Sequence, residues 1–416
     1  MARKSSYNAH WLARIVVVLI VGVALLVSVL FFEKQINTAL GLERIEESTY
    51  EGATSDSVIS GSVGEDLVVH FIDVGQGDAC IIQFPDYKTM LIDGANNGYG
   101  DVINNYIEEN IKDKNGDTIT YFDYAMLTHS DSDHCASMDE VLNEYPAKTF
   151  YRPNVLASRS GYTDPSKNDL IGNYTSKDTV AYKNAIEAGC KGAEQVIIND
   201  VDMSAITGTS SSGDEYSLSF YGPNSDSYKD WNNYSPIMIL EYQDVRMALT
   251  GDCEKEGEEE FVNLVNKGTG KFAQFTSTYH VDVIKAGHHG SRTSTGTNFI
   301  NAITTESEIQ NTLLIVSCGF DNSYGHPHDE LLSRVKEVGI VDDNILRTDT
   351  NGTIVLSVKA DGTLMHGANP IVKTPKKLVD WRYIAITSFV AIAMVVLIQP
   401  AVKKAKKQVK RATRRR

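Results

Sequence analysis

The stretch YAMLTHSDSDH, residues 124–134, constrains this chain more than any other. Its apolar start predicts a buried strand, and four imidazole or carboxylate groups follow at once, on His129, Asp131, Asp133 and His134. These groups cannot pack together in a core, because each would need a partner to offset its lost hydration. The stretch is therefore either a solvated acidic turn or a metal site built at the end of a strand.

Four further stretches place an acid or a histidine at the end of a predicted strand. They are DVGQGD beginning at Asp73, IDG containing Asp93, TGD containing Asp252, and GHHGS containing His288 and His289. Taken singly, each is an ordinary turn or a pair of surface imidazoles. Five such strand ends in one chain favour a common edge that binds metal.

Charge divides the chain into an acidic body and two basic ends. Of the 39 Lys and Arg residues, three lie in residues 1–32 and ten in residues 381–416, and neither end contains Asp or Glu. The body between them holds 26 basic and 54 acidic residues, a net charge of −28. Such a surface repels a polyanion unless metal ions and a local basic patch offset its field, for which Arg152, Arg292 and Lys285 are candidates.

Two uncharged apolar runs, residues 15–32 and 383–398, flank the acidic body. Each is about long enough to cross a hydrocarbon layer of roughly 30 Å. No small-x-small cleavage site follows the first run, which favours an uncleaved anchor over a signal peptide. The basic tail directly after the second run disfavours a buried core helix. Basic residues on the outer chain ends predict a cell-membrane protein with both termini cytoplasmic, the acidic body extracytoplasmic, and membrane lipid as a partner.

These features predict seven segments. They are a cytoplasmic N-terminus (1–11), a transmembrane anchor (12–32), a stalk (33–65), an acidic folded domain (66–366), a linker (367–380), a second anchor (381–400) and a basic cytoplasmic tail (401–416). Within the domain, short strands in two groups alternate with helices, which predicts an α/β fold with layered sheets. The polar segment 157–177 predicts a surface loop near the site. His70 and His280 lie in or beside apolar strands and are expected to be structural. Five cysteines without C-x-x-C spacing predict no disulfide framework.

Six motifs follow one another in the order FIDVGQGDA, LIDGA, THSDSDH, LTGD, KAGHHGS and YGHPH. This series resembles the metallo-β-lactamase-fold hydrolase domain at the C-terminal end of the competence protein ComEC and its relatives, over roughly residues 66–366. The resemblance implies a four-layered αββα sandwich with the site at one edge of the sheets.

The resemblance also implies roles for individual residues. The expected metal ligands are His129, Asp131, Asp133, His134, Asp252 as the bridging acid and His288 as the final histidine. Asp73 and Asp93 are expected to support the ligands. The wider superfamily supplies another histidine between the central motif and the bridging acid, but no His lies between His134 and Asp252. The expected cofactors are two divalent ions, and three carboxylates among the ligands make manganese as suitable as zinc.

Further residues are expected to contact the substrate. Asp133 is expected to orient the attacking water and His326 to act beside it, so both are candidate catalytic residues. The candidate substrate contacts are His289, Ser291, Thr293, Tyr324 and His328.

The sequence thus predicts a membrane-anchored, metal-dependent hydrolase of phosphodiesters, a ComEC-like nuclease with DNA as a possible partner and no nucleotide cofactor. Two alternatives stay open. One is a hydrolase of a small ester, lactam or thioester, which would share every metal residue and differ in its loops. The other is a non-catalytic surface binding module whose metal site is structural.

Overall fold

The structure, a computed structural model, describes residues 64–168, 175–198, 203–223 and 228–366. Both apolar runs, the basic tail, the second linker and the stalk as far as residue 63 lie outside these ranges, so the predicted membrane topology stays a prediction. Within the described ranges, no helix combines the length and the apolar character needed to span a bilayer.

Two β-sheets form the body of the domain. The strands are β1 Leu67–Phe71, β2 Cys80–Gln83, β3 Thr89–Ile92, β4 Phe122–Met126, β5 Ala147–Pro153, β6 Val155–Ala157, β7 Thr175–Lys177, β8 Glu194–Ile198, β9 Ile206–Thr209, β10 Glu215–Tyr221, β11 Ile237–Tyr242, β12 Val245–Leu249, β13 Val283–Lys285, β14 Leu313–Val316, β15 Ile345–Arg347, β16 Ile354–Val358 and β17 Leu364–His366. The first sheet has the order β17-β16-β1-β2-β3-β4-β5-β8, and the second has the order β15-β14-β13-β12-β11-β10-β9.

The inner faces of the sheets meet in one apolar layer. Leu67, Val69 and Phe71 of β1 belong to this layer, and strand β11 of the second sheet contributes every other residue in the same way. Burying a side chain of this size contributes roughly 1.5–3 kcal/mol. His70, which alternates with them, bonds instead to Tyr106 at 2.8 Å, on a helix that covers the outer face. The period-2 pattern of the strands therefore joins the two sheets.

Helices cover both outer faces. They are α1 Gly100–Asn110, α2 Ser132–Cys135, α3 Met138–Glu144, α4 Val180–Gly189, α5 Lys255–Lys267, α6 Thr297–Ile303, α7 Asp329–Val338 and α8 Thr348–Asn351. Helices α1, α3 and α4 pack on the first sheet through residues such as Ile103, Val141 and Ile186. Helices α5, α6 and α7 pack on the second sheet, with Phe261 and Ile300 in that layer. The fold is a mixed α/β sandwich.

Parallel pairing decides where the site lies. Strands β3, β4, β5 and β8 run parallel to one another, and so do β12, β13, β14 and β15. The carboxyl ends of parallel neighbours share an edge, so the segments after β3 and β4 in one sheet, and after β12, β13 and β14 in the other, lie together. These segments carry most of the motifs singled out in the sequence.

One predicted segment differs in the structure. Residues 157–177 are not simply a surface loop, because their two ends form a short parallel sheet of β6 and β7. Strand β7 carries Lys177 to the site, where the sequence predicted only a nearby loop.

Candidate metal centre

One carboxylate oxygen of Asp252 lies among four imidazole nitrogens. Asp252 follows β12 and is 2% exposed. Its Oδ2 is 3.1 Å from Nε2 of His134 and 3.4 Å from Nε2 of His289. The Nε2 atoms of His129 and His288 lie farther away, at 3.9 and 4.0 Å. The structure thus brings together four histidines from two sheets around one acid.

Asp93 orients His134 from behind. Its Oδ2 accepts a 2.8 Å hydrogen bond from His134 Nδ1, which turns Nε2 toward Asp252. The backbone N–H and the hydroxyl of Thr128 both donate to Asp93, each at 2.8 Å. Asp93 itself has φ of 62°, a left-handed conformation that non-glycine residues seldom adopt. A carboxylate behind an imidazole is the usual support of a histidine metal ligand.

His289, which the sequence predicted to contact the substrate, lies inside the cluster, whereas His288, the expected final histidine ligand, lies at its edge. His289 Nδ1 donates to the carbonyl of Ser317 at 3.1 Å, and its Nε2 lies 3.2 Å from Asp133 Oδ2, inside the cluster. His288 lies at the edge, with Nδ1 2.9 Å from Glu254 Oε1. Both histidines have positive φ, 49° and 53°. Because of this strained backbone, consecutive side chains reach the same site.

Asp78 belongs to the most compact group, with His134, Asp252 and His289, in which one atom of each lies within 4.8 Å of the others. Its carboxylate, however, lies 3.9 Å from the Nδ1 atoms of both histidines, which are the nitrogens turned away from Asp252. The ammonium of Lys285 lies 2.6 Å from Asp78 Oδ2 and compensates its charge. Asp78 therefore lies behind the rings, and Asp133 is better placed than Asp78 as the fourth ligand beside His134, Asp252 and His289.

The glycines of the DVGQGD motif permit this arrangement. Gly77 has φ of 149°, and a Cβ there would lie 2.5 Å from the carbonyl oxygen of Asp133. The same oxygen accepts a hydrogen bond from the backbone N–H of Asp78 at 3.1 Å. Only glycine allows the first motif to approach the central motif this closely.

Asp131 lies between an imidazole and an ammonium. Its Oδ2 is 4.0 Å from His129 Nε2, and its Oδ1 is 2.5 Å from Lys177 Nζ. Lys177 also lies 4.9 Å from the centre of the Trp231 ring. Sequence reasoning missed Lys177, because a single lysine in a polar segment gives no signal of its own.

The residues present fit divalent metal ions. His129 Nδ1 has hydroxyl neighbours on Thr128 and Ser235, but His129 Nε2 is buried without a hydrogen-bond partner among the described residues. Asp252 Oδ1 is buried in the same way. Imidazole nitrogens and carboxylate oxygens suit zinc, manganese and iron. His129, Asp131, Asp133, His134, Asp252 and His289 would hold the ions, with His288 beside them.

The acids and histidines of the cluster shift one another's pKa values. Burial alone would lower the pKa of His134, but the carboxylates of Asp252 and Asp93 outweigh it and hold that pKa well above the ordinary 6.5. Burial alone would raise the pKa of Asp252, but His134 and His289 hold it well below 3.8. A buried acid that stays ionised beside imidazoles is a ready partner for a cation.

The cluster opens into a pocket of about 360 Å³. Its lining includes Asp131, Asp133, Asp252, His288, His289, Lys177, Tyr324 and His326. Burial and, to a smaller extent, the neighbouring histidines lower the pKa of His326 to about 4. At neutral pH His326 is therefore an uncharged imidazole at the pocket wall.

Other predicted contacts lie outside the pocket lining. Ser291 bonds to Thr293, and Thr293 donates to Glu254 Oε1 at 2.6 Å, so both hydroxyls support the acid behind His288. His328 accepts a hydrogen bond from the backbone N–H of Arg292 at the start of α7. Asp73, expected to support the metal ligands, accepts a hydrogen bond from the N–H of Gly75 and shapes the glycine turn.

Two of the three candidates for a basic patch are wrong because both are buried. Arg152 is 0% exposed and forms two 2.8 Å bonds to Asp164. Lys285 is 4% exposed and pairs with Asp78. Arg292 is exposed. Arg152 and Lys285 therefore contribute to no exposed basic patch.

Comparison with known proteins agrees with the motif series. No family model matches the chain. ComE operon protein 3 of Bacillus subtilis is 27% identical over 302 residues, which cover 69% of this chain and 32% of that protein. Competence protein ComA of Neisseria gonorrhoeae is 30% identical over 149 residues, covering 36% of this chain and 19% of its own length. The chain carries a ComEC-like domain with the metallo-β-lactamase fold.

The chain spans about a third of the length of the first of these relatives. Solved structures similar to the ComEC-like domain are only distantly so. A diphosphatase of the PhnP family is 10% identical, with a TM-score of 0.34 over 71% of this chain and 99% of that one. The metallo-β-lactamase SMB-1 is 9% identical, with a TM-score of 0.31 over 65% and 93%.

Proposed function

We propose that this protein is a metal-dependent hydrolase of phosphodiesters, and a nuclease in particular. The observation that carries the proposal is Asp252, a buried acid whose Oδ2 lies 3.1–4.0 Å from four histidine Nε2 atoms beside an open pocket. A purely structural metal site has no need of such a pocket. The name of the relative from Neisseria gonorrhoeae, which refers to competence, favours a nucleic-acid substrate.

Two divalent ions held here would activate water and stabilise charge on the phosphoryl oxygens. The chain's own residues orient the histidine rings and the attacking water. Asp93 and Ser317 hold the rings of His134 and His289 so that both Nε2 atoms face Asp252. Asp133, 23% exposed at its side chain and on the pocket wall, accepts a hydrogen bond from water and orients it.

Lys177 supplies positive charge on the other side of the pocket. Among the described residues, its one acceptor is Asp131 Oδ1, so two of its three N–H donors remain for a substrate oxygen. Within the lining of the pocket it is the single Lys or Arg residue. Lys177 would bind a non-bridging oxygen of the phosphodiester and favour anionic over neutral esters.

We also propose that the runs 15–32 and 383–398 span the cell membrane and hold the domain on its outer side. What supports it is their length, their lack of charge and the basic residues at their outer ends.

The test uses the full chain, purified, freed of metal by chelation, and then given manganese or zinc. Hydrolysis of bis(p-nitrophenyl) phosphate and of a single-stranded oligonucleotide is expected to depend on the metal. Asp252→Asn and His289→Ala are expected to abolish it, while His366→Ala, an exposed histidine on the terminal strand β17, serves as the matched control.

Two results would contradict the proposal. Metal-dependent hydrolysis of p-nitrophenyl acetate or of a lactam, with no cleavage of either phosphodiester, would establish the small-ester alternative. Tight metal binding without turnover of any of these substrates would establish a binding module.

A further inference from the structure

Two aromatic side chains on one turn are the most exposed large apolar groups in the described part of the chain. Phe320 is 84% exposed and Tyr324 is 64% exposed. The turn follows β14 and leads to His326 on the pocket wall. Scattered apolar residues on a surface are ordinary, but Tyr324 lines the pocket and Phe320 lies on the same turn, so the two exposed rings point to a ligand with an apolar face.

The turn holds these rings in a fixed position. Asn322 donates through Nδ2 to the carbonyls of Gly319 and His326, and accepts through Oδ1 from the N–H of His326. The carbonyl of the Gln76 side chain accepts from the N–H of Gly319 at 3.3 Å. A Cβ at Gly319 would lie 2.6 Å from the backbone nitrogen of Gln76. These hydrogen bonds and the close packing of Gly319 fix the turn, which holds Phe320 and Tyr324 in exposed positions.

A row of three rings, of His289, His326 and Tyr324, leads outward from the metal cluster. His289 and His326 have ring centres 6.1 Å apart with planes inclined by 32°. His326 and Tyr324 have centres 5.7 Å apart and planes inclined by 19°. Tyr324 therefore has one face against His326 while most of its surface stays open. A flat ring attached to a phosphodiester in the pocket would continue this row.

We propose that Tyr324 and Phe320 form a stacking site for the unpaired bases next to the scissile phosphodiester. This inference rests on the proposed function and narrows its substrate to single-stranded nucleic acid. Bases in a duplex already stack on each other, whereas every unpaired base presents a free π-face. Because the body carries a net charge of −28, attraction of the phosphate backbone is weak, and stacking supplies the affinity.

The experiment compares two fluorescently labelled strands of equal length, oligodeoxythymidine and its fully abasic analogue, bound by the full chain. The wild type is expected to bind the base-bearing strand at least about tenfold more tightly, in keeping with base–aromatic stacking. Phe320→Ser and Tyr324→Ala are each expected to remove several-fold of this preference and to leave abasic binding unchanged. Tyr121→Ser, at an aromatic residue 43% exposed before β4, is the matched control.

Binding is read without cleavage, so this test can fail independently of the proposed function. Equal affinity for the two strands in the wild type, or an equal loss for both in the variants, would overturn the stacking site even if phosphodiesters are cleaved. Loss of binding to anionic phosphatidylglycerol vesicles in Phe320→Ser, with the strand preference intact, would also overturn it and assign the turn to a lipid surface. An unchanged melting temperature shows that each variant is folded.

Discussion

The ammonium of Lys285 lies 2.6 Å from Asp78 Oδ2, and both side chains are 5% exposed. This pair stands directly behind the imidazoles of His134 and His289. Burial lowers the pKa of Lys285, but Asp78 and Asp252 outweigh it, so the net pKa is raised and the lysine stays charged. The charge of Asp78 is thereby compensated, so this buried carboxylate does not compete with Asp133 and Asp252 for a metal ion.

Lys285→Met is expected to lower the free energy of unfolding by about 3–5 kcal/mol, because it leaves the charge of Asp78 buried without a partner. The double variant Lys285→Met/Asp78→Asn is expected to recover most of this loss. Denaturant unfolding of the metal-free protein measures both. Equal losses in the single and the double variant would show that the two charges do not interact.

Asp93→Asn is expected to weaken metal binding by about 10- to 100-fold, because the ring of His134 loses its carboxylate partner. Competition with a chromophoric chelator measures the affinity. Asp361→Asn, at an exposed acid in the turn before β17, is the control. Unchanged affinity in Asp93→Asn would show that His134 is held by its packing alone.

Lys177→Met is expected to lower kcat/KM for an anionic phosphodiester about tenfold, the loss of one charge-assisted hydrogen bond. Hydrolysis of a neutral phosphotriester is expected to stay within about twofold, and Lys177→Arg to retain most activity toward the diester. The metal content per chain, measured by atomic absorption, separates two roles. Loss of metal in Lys177→Met would mean that the lysine serves only to place Asp131.

Glu258 is expected to make stability depend on pH. Burial raises its pKa to about 7 from the ordinary 4.5, although the N–H groups of Thr295 and Gly296 donate to it and lower the pKa in part. Because the folded state holds this proton more tightly than the unfolded state, the stabilisation is present below pH 4.5 and is lost as pH rises to about 7. The loss is about 3 kcal/mol.

Glu258→Gln removes the titrating proton and keeps an acceptor oxygen for one of the two N–H groups. Its free energy of unfolding, relative to the wild type, is expected to rise between pH 5 and 7.5. A constant difference over that range would contradict a raised pKa. Glu259→Gln, at the neighbouring exposed acid, controls for the general effect of charge removal.

Local patterns predict much of this fold. Short apolar runs locate strands such as β1 and β12, and the sequence predicts a helix over residues 329–338, which are the bounds of α7. Strand β5 and the pair β6–β7 were missed, because β7 is the polar sequence TSK and owes its strand conformation to pairing with β6. Tertiary pairing of this kind leaves no periodic signal in the sequence.

The candidate site was predictable as a set of motifs but not as a geometry. The acids and histidines at strand ends indicated which segments meet. Which of His288 and His289 enters the cluster depends on two consecutive left-handed residues, and the sequence GHHGS does not show that conformation. Lys177 reaches Asp131 across a long sequence separation, so no local pattern contains it.

The candidate metal centre draws its residues from both sheets: His129, Asp131, Asp133 and His134 follow β4 of the first, and Asp252, His288 and His289 follow β12 and β13 of the second. Neither half alone assembles the full set. An ion bound here would therefore link the two sheets, and its binding free energy would add to the free energy of unfolding of the sandwich. At a free ion concentration a hundred times the dissociation constant, that addition is about 2.7 kcal/mol. Removing the ion would weaken the contact between the two sheets at the pocket before it disturbs either sheet.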